Sequence, residues 1–250
     1  MKVIEVHGLR YRYADGTQAL DGVDFHLDAG ECVALFGANG SGKTTFVLHL
    51  NGLLEGEGTV AICGRTLSRE TMNEARSKVG LVFQDSDEQL FLPTVLEDVA
   101  FGLLNQGIAP EQAAQRARVA LEQVGMAGAL GQAGAVGRAG VLGKAPYHLS
   151  SGEKRRVAIA GVLVMNPEIL VLDEPTTSLD PPGQRGLVEL LRGLPQAKLL
   201  VTHDLAFAAA LATRAVFFEH GKIAGEGTVE EVARRFNWSP HSAQSSPQLR

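Results

Sequence analysis

The chain has 250 residues, 45% of them hydrophobic, enough for one large α/β domain or a core with a smaller lobe, which excludes a disordered chain. A formal net charge of -5 provides no global basic footprint, so no nucleic-acid partner is expected. The two cysteines, Cys32 and Cys63, lie in apolar strand-like runs without a second Cys or His at metal-ligand spacing, which predicts buried free thiols in a reducing compartment.

Residues 1–6 alternate as a strand does and lack the apolar core and cleavage site of a secretion signal, so the protein is expected to stay in the cytoplasm. Up to about Gly64, short apolar strands are separated by turn signals such as Ala14-Asp15-Gly16 and Asp28-Ala29-Gly30. Within this stretch Gly37-Ala38-Asn39-Gly40-Ser41-Gly42-Lys43-Thr44 fits G-x-x-x-x-G-K-[ST] at every fixed position. It stands between a strand predicted over 32–36 and a helix predicted over 45–50. Successive N–H groups of such a loop turn toward one phosphate, Lys43 can reach the β- and γ-phosphates, and the Thr44 hydroxyl can ligate Mg²⁺. A Gly-rich turn that merely joins strand to helix would not need Lys and Thr in register after Gly42. Gly37, Asn39, Gly40, Ser41, Gly42, Lys43, Thr44 and Thr45 are therefore the candidate nucleotide contacts.

After the strand-like Leu81-Val82-Phe83 comes Gln84, then a run with five acids, Asp85, Asp87, Glu88, Glu97 and Asp98, and no Lys or Arg between the first and the last. From about 97 to 125 the pattern is helical: Ala113, Ala114, Ala117, Ala120, Leu121 and Val124 recur at three- and four-residue spacing, with Glu111, Arg116, Arg118 and Glu122 between them. Gly128, Gly131, Gly134, Gly137, Gly140 and Gly143 then fall on every third residue, read either as a flexible loop or as a short glycine-faced extended helix. The longest apolar run, 157–165, is half the length of a membrane span, so any membrane role must come through a partner.

The core resumes with a strand at 169–172, followed by Asp173 and Glu174. Acids at the end of a buried strand beside a phosphate loop serve where Mg²⁺ needs a carboxylate and attacking water an acceptor; adjacent residues point to opposite sides and can divide these tasks. A helix over 186–194, strands at 198–201 and 216–218 and a helix near 229–236 complete the pattern. One domain over 1–236 is expected, with a helical lobe at about 86–165 inserted in it and a disordered tail over 237–250.

In order, the chain carries a phosphate loop, Gln84 after a strand, Leu149-Ser150-Ser151-Gly152-Glu153 opening a basic helix predicted over 152–160, an aliphatic-Asp-Glu-Pro, Ser178-Leu179-Asp180, and His203 after a strand. Over residues 3–235 this resembles ABC-type ATPases. The resemblance implies an α/β P-loop NTPase core with a mixed sheet, an N-terminal antiparallel β region and an inserted helical lobe. It also implies a head-to-tail homodimer or heterodimer, with ATP held between the phosphate loop of one protomer and the L-S-x-G segment of the other. By the same resemblance Tyr13 stacks on adenine, with Tyr11 as the competing aromatic, and Gln84 senses Mg²⁺ and water. Asp173 is the Mg²⁺-side acid, Glu174 the catalytic carboxylate, Asp180 part of the contacting turn, and His203 a γ-phosphate ligand. Ser150, Ser151, Gly152 and Glu153 face phosphate across the dimer. Ser151 and Glu153 depart from the usual glycine and glutamine, adding a side chain where close backbone approach is wanted and a negative charge near phosphate.

The stretch from Gln84 through Leu104-Asn105 is similar to the ATPases of energy-coupling-factor (ECF) importers, most of all their cobalt/nickel members. That resemblance implies an ATP-hydrolysing subunit at the cytoplasmic face of the membrane, bound to a membrane T component and a substrate-binding membrane subunit, with the acidic run as a docking device for basic coupling helices. The alternatives are an ECF vitamin importer ATPase, or a soluble ABC ATPase outside transport.

Overall fold

The computed structural model describes residues 1–126 and 140–238, which fall into two units. The first takes Met1–Leu81, Glu168–Thr176 and the residues from Leu187; the second takes Val82–Pro167 and Thr177–Gly186. The strands in chain order are β1 (Lys2–Arg12), β2 (Gln18–Asp28), β3 (Cys32–Gly37), β4 (Glu57–Ile62), β5 (Arg65–Thr66), β6 (Val79–Val82), β7 (Ile169–Asp173), β8 (Ala197–Val201), β9 (Arg214–Glu219) and β10 (Lys222–Gly227). The helices are α1 (Lys43–Leu50), α2 (Met72–Lys78), α3 (Val95–Asn105), α4 (Pro110–Gln123), α5 (Ser151–Leu163), α6 (Pro181–Arg192), α7 (Leu205–Leu211) and α8 (Val229–Arg235).

In the first unit, β1 and β2 form an antiparallel hairpin extended by β4 and β5 in the order β2-β1-β4-β5. Alternation puts Ile4 and Val6 on the buried face opposite Leu27 and Phe25, and a register shift between Val6 and Leu9 brings Leu9 to the same face opposite Val23. The second sheet has the order β10-β9-β3-β8-β7-β6. β3, β7 and β8 are buried along their whole length, as near-continuous aliphatic strands of a parallel sheet are. Their register aligns Leu35 with Val201 and Val201 with Asp173, so the C-terminal ends of three parallel strands meet at one edge. Ligands of open α/β sheets bind at such edges. Phe46 of α1 lies edge-on to Phe25 at 5.4 Å and 5.3 Å from Phe218, tying α1 to both sheets.

Two local expectations are corrected in this unit. Cys32 is buried in β3, and burial pushes its thiol up to about 12, but Cys63 is half-buried in the turn after β4 at φ 49°, where its thiol donates to Glu168 Oε2 at 3.2 Å. Trp238, expected in the tail, is instead buried 5.4 Å from Phe217, which itself stacks on Phe236 at 4.2 Å. The indole adds apolar area to this small cluster, so Asn237 and Trp238 belong with the packed chain.

In the second unit the helical stretch is two helices. Gly107, at φ 79°, ends the first and Pro110 opens the second, where a missing N–H costs nothing. Ala113, Ala117, Ala120, Leu121 and Val124 are buried and the charged residues between them are exposed, as their spacing predicts. Most of the Gly-every-third segment lies outside the described residues; Gly143 ends a short 3₁₀ turn, Val141–Gly143. The helix expected from 186 begins at Pro181, again with proline in its first turn. Among the described residues no helix is long and apolar enough to cross a membrane.

Candidate nucleotide and catalytic site

The loop between β3 and α1 depends on two glycines for different reasons. At Gly37, φ 144°, a Cβ would come within 2.3 Å of the Phe218 carbonyl oxygen; at Gly42, φ 107°, within 2.5 Å of the Ala19 carbonyl oxygen. Any side chain would push the loop off the sheet. Gly42 is also the N-cap of α1, which has no side-chain cap, and an uncapped helix N-terminus favours an anion. Lys43 is 9% exposed, and its ammonium donates to the carbonyls of Gly37 at 2.7 Å and Ala38 at 2.9 Å, arching back over the loop. Burial holds its pKa below the ordinary lysine value, opposed by the charges of Glu174 and Asp173.

Asp173 ends β7 and is buried, with its Oδ2 3.4 Å from the Thr44 hydroxyl. Glu174 follows in the left-handed region at φ 42°, a conformation that costs a non-glycine residue free energy and concentrates at functional sites. Its own N–H donates to the Val201 carbonyl at 2.8 Å. Its Oε2 lies 2.7 Å from His203 Nδ1 and accepts from the His203 backbone N–H at 3.3 Å. The Tyr13 hydroxyl meets Thr45 Oγ1 at 2.9 Å, with the ring 38% exposed. Tyr11 is edge-on to both Tyr13 and His49, at 5.0 and 4.9 Å. The exposed Tyr13 ring is thus the one able to offer a face, and Tyr11 packs behind it. The loop, Thr44, Thr45, Tyr13, Asp173, Glu174 and His203 all belong to the first unit.

The other expected residues belong to the second unit. Ser150 is the N-cap of α5 in a complete capping box: its Oγ accepts from the Glu153 N–H, while Glu153 Oε2 accepts from the Ser150 N–H and hydroxyl, each at 2.8 Å. These hydrogen bonds hold the Glu153 carboxyl below the usual range. In the single chain the acid at the third helical position takes the Ser150 donors that the resemblance assigns to phosphate once a partner closes. Ser151 is exposed and Gly152 half-buried. Asp180 Oδ1 accepts from the Gly183 N–H at 2.9 Å, closing the first turn of α6. Gln84 is exposed, at the rim of a cavity of about 500 Å³ that also borders Asp85–Glu88, Lys154 and Thr177.

The acidic run is less free than its sequence suggests. Asp87 pairs with Lys154 at 2.6 Å, and Glu97 accepts from the Thr94 hydroxyl at 2.8 Å. Asp98 Oδ1 accepts the N–H groups of Phe91 and Leu92 at 3.1 and 3.0 Å, and burial raises its pKa against those hydrogen bonds. Asp85 and Glu88 remain exposed, as does Phe91 at 62%. The residue that sequence reasoning missed is Arg155, 4% exposed, whose guanidinium donates to the carbonyls of Phe83 and Gln84, both at 2.6 Å.

The ABC transporter family matches residues 20–177. A Streptomyces avermitilis protein provisionally named an ABC transporter ATP-binding protein is 49% identical over 230 residues, 92% of this chain and 83% of that one. The energy-coupling factor transporter ATP-binding protein EcfA of Methanosphaera stadtmanae is 44% identical over 236 residues, 92% and 81% of the two chains. Among solved structures, cbiO1 from Clostridium perfringens, described as part of the ABC transporter complex cbiONQ, superposes with a TM-score of 0.79 at 34% identity, over 94% and 92% of the two chains. The dimeric, post-hydrolysis ATP-binding cassette MJ0796 bound to ADP and Pi gives 0.77 at 27% identity, over 90% and 98%.

Proposed function

The chain belongs to the ABC transporter ATPase family, and from that premise we propose that it is the ATP-hydrolysing subunit of an ECF-type importer at the cytoplasmic face of the membrane, energising uptake of a small substrate, cobalt or nickel ions foremost. The observation that carries the ATPase half is the meeting of Lys43, Thr44, Asp173, Glu174 and His203 at one edge of a parallel sheet. The names of EcfA and cbiO1 support the importer half.

In this reading the loop N–H groups and Lys43 hold the β- and γ-phosphates, and Tyr13 supports the adenine. The Thr44 hydroxyl and Asp173 carboxylate are two adjacent oxygen donors, a set that suits a hard divalent cation. Mg²⁺, bound there with the nucleotide, would neutralise charge on the phosphates. Glu174, aimed by His203, accepts a proton from the attacking water, and His203 contributes a donor toward the γ-phosphate. A second copy or a related ATPase supplies Ser150–Gly152 across the dimer, which requires Ser150 to exchange Glu153 for phosphate. Gln84 and the exposed acids Asp85 and Glu88 face the membrane T component.

The test is co-expression with a candidate T component and a metal-type substrate-binding membrane protein, followed by co-purification and uptake of radioactive cobalt or nickel. ATP-dependent metal uptake lost in Glu174→Gln is the expected result. Uptake of a vitamin instead would assign the other ECF branch, and ATP hydrolysis without any membrane association would overturn the importer reading.

A further inference from the structure

Within the second unit, three side chains tie the segment after β6 to α5. Arg155 spans two successive carbonyls, Phe83 and Gln84, with one guanidinium nitrogen on each at 2.6 Å. Lys154, one residue earlier, holds Asp87 at 2.6 Å. On the next turn the Ala158 carbonyl accepts from Gln89 Nε2 at 3.5 Å, while Gln89 Oε1 accepts the Phe83 N–H at 3.3 Å. The Arg155 contact differs in kind from its neighbours. Asp87 is exposed and its pairing with Lys154 is open to water and salt, whereas Arg155 is 4% exposed. A planar fork can satisfy two adjacent carbonyls at once in a fixed geometry; a lysine ammonium cannot reproduce it, and a neutral amide offers only one donating nitrogen. Removing the fork would leave two main-chain acceptors short of a partner at a part-buried position.

We propose that Arg155 is a positioning residue for ATP hydrolysis: it fixes the backbone of Gln84 to the helix that opens with Ser150–Gly152, so that these two groups keep a set separation and move together. Arg155 takes hold of Gln84 by its carbonyl, and the Gln84 side chain is exposed and able to act on a ligand. A push on the Asp85–Glu88 segment is then passed to the start of α5 without slack, because the helix and the segment are one piece at Arg155. The step rests on the reading that Ser150–Gly152 and Gln84 take part in hydrolysis. The loop around Lys43 lies in the other unit and makes none of these contacts.

The experiment compares wild type, Arg155→Met and Arg155→Lys in the full chain. It measures ATP affinity by calorimetry, kcat and KM of hydrolysis, and hydrogen exchange of the amides over 84–90. Arg155→Met should lower kcat at least about 10-fold, toward the ~10²-fold loss that a 1 Å misplacement can bring, with ATP affinity within about twofold of wild type. Exchange over 84–90 should rise while that over α1 stays constant, and Arg155→Lys should recover part of kcat. A folded Arg155→Met with wild-type kcat overturns the proposal. So does a loss of ATP affinity equal to the loss of kcat, which would mark a general destabilisation. Should Arg155→Met fail to fold, Arg155→Lys decides: wild-type kcat together with faster exchange over 84–90 would overturn it. A wild-type protein that binds ATP and does not hydrolyse it, as a dimer or in its membrane complex, would instead remove the underlying reading.

Discussion

Glu174 Oε2 and His203 Nδ1 stand 2.7 Å apart, and the same carboxylate oxygen is also reached by the His203 backbone N–H. A carboxylate gripped twice by one residue of the neighbouring strand end has its direction fixed before any water arrives. Glu174→Gln keeps the shape and the contacts to His203 but cannot take a proton. ATP binding should persist, and turnover should fall at least ~10²-fold, the scale of general-base help. Turnover near wild type in this variant, measured by phosphate release, would move the base elsewhere.

Lys43 supplies a point charge that loop N–H groups cannot replace. Lys43→Ala should weaken ATP binding at least about 10-fold by calorimetry, the equivalent of one lost hydrogen bond to a charged group. Circular dichroism should be unchanged, since the carbonyls that accept from Lys43 belong to its own loop. An affinity equal to wild type would mean that nucleotide binds somewhere else.

Mixing two defective proteins tests whether the site is shared. A Lys43→Ala protomer lacks the phosphate contact and a Ser150→Arg protomer blocks the start of α5; a mixed dimer can place both lesions in one site and leave the other intact. Partial recovery of hydrolysis on mixing is expected, and activity in isolated wild-type monomers would exclude the shared site.

Asp98 stabilises the second unit from within. Asp98→Ala removes the acceptor for the Phe91 and Leu92 N–H groups, at a cost of about 1–3 kcal/mol. Asp98→Asn should be milder, because it keeps an acceptor and removes a charge that burial disfavours. Urea titrations of both variants check the ranking. Equal losses would mean that charge, rather than acceptance, matters there.

His49 should make the fold sensitive to mild acid. Its imidazole is buried, with Nδ1 2.7 Å from the Thr45 carbonyl, and burial lowers its pKa below the ordinary 6.5. As pH falls through that ordinary value the unfolded chain takes up a proton that the folded chain refuses, so stability is lost downward from there toward the folded pKa. The melting temperature should therefore fall more steeply between about pH 7.5 and 5.5 in wild type than in His49→Leu. Parallel slopes would assign the acid sensitivity to other groups.

How much of this was legible in sequence depended on how local each feature is. The phosphate loop was readable because its eight residues are contiguous and its glycines answer to backbone angles. Asp173 and Glu174 were readable because a run of aliphatics announces a buried strand end. The Ser150-x-x-Glu153 spacing is itself a capping-box pattern, and its meaning was hidden behind the comparison with the usual glutamine. Arg155 and Lys154 were not readable, since their partners lie some seventy residues away and only packing of α5 brings them together. Trp238 was lost because a single indole is outvoted by the polar residues after it. The break between α3 and α4 was missed because the alanine spacing that announces a helix belongs to α4 alone, while the stretch before Gly107 and Pro110 was read as part of the same helical text.

The alignment of Leu35, Val201 and Asp173 in one row has an implication for how this site can evolve. Asp173 is the last residue of β7, and Glu174, one step on, has already left the strand for the left-handed region at φ 42°. The acid beside Thr44 and the acid beside His203 are thus set apart by a turn of the backbone, while the aliphatics behind Asp173 keep the two-residue period of a strand. Deleting or inserting one residue within β7 would displace that turn along the sheet edge or move every aliphatic behind it to the other face. A slip in β7 that would displace the acids must also invert its share of the core. Variation is therefore tolerated in what the strand is made of far more readily than in how long it is.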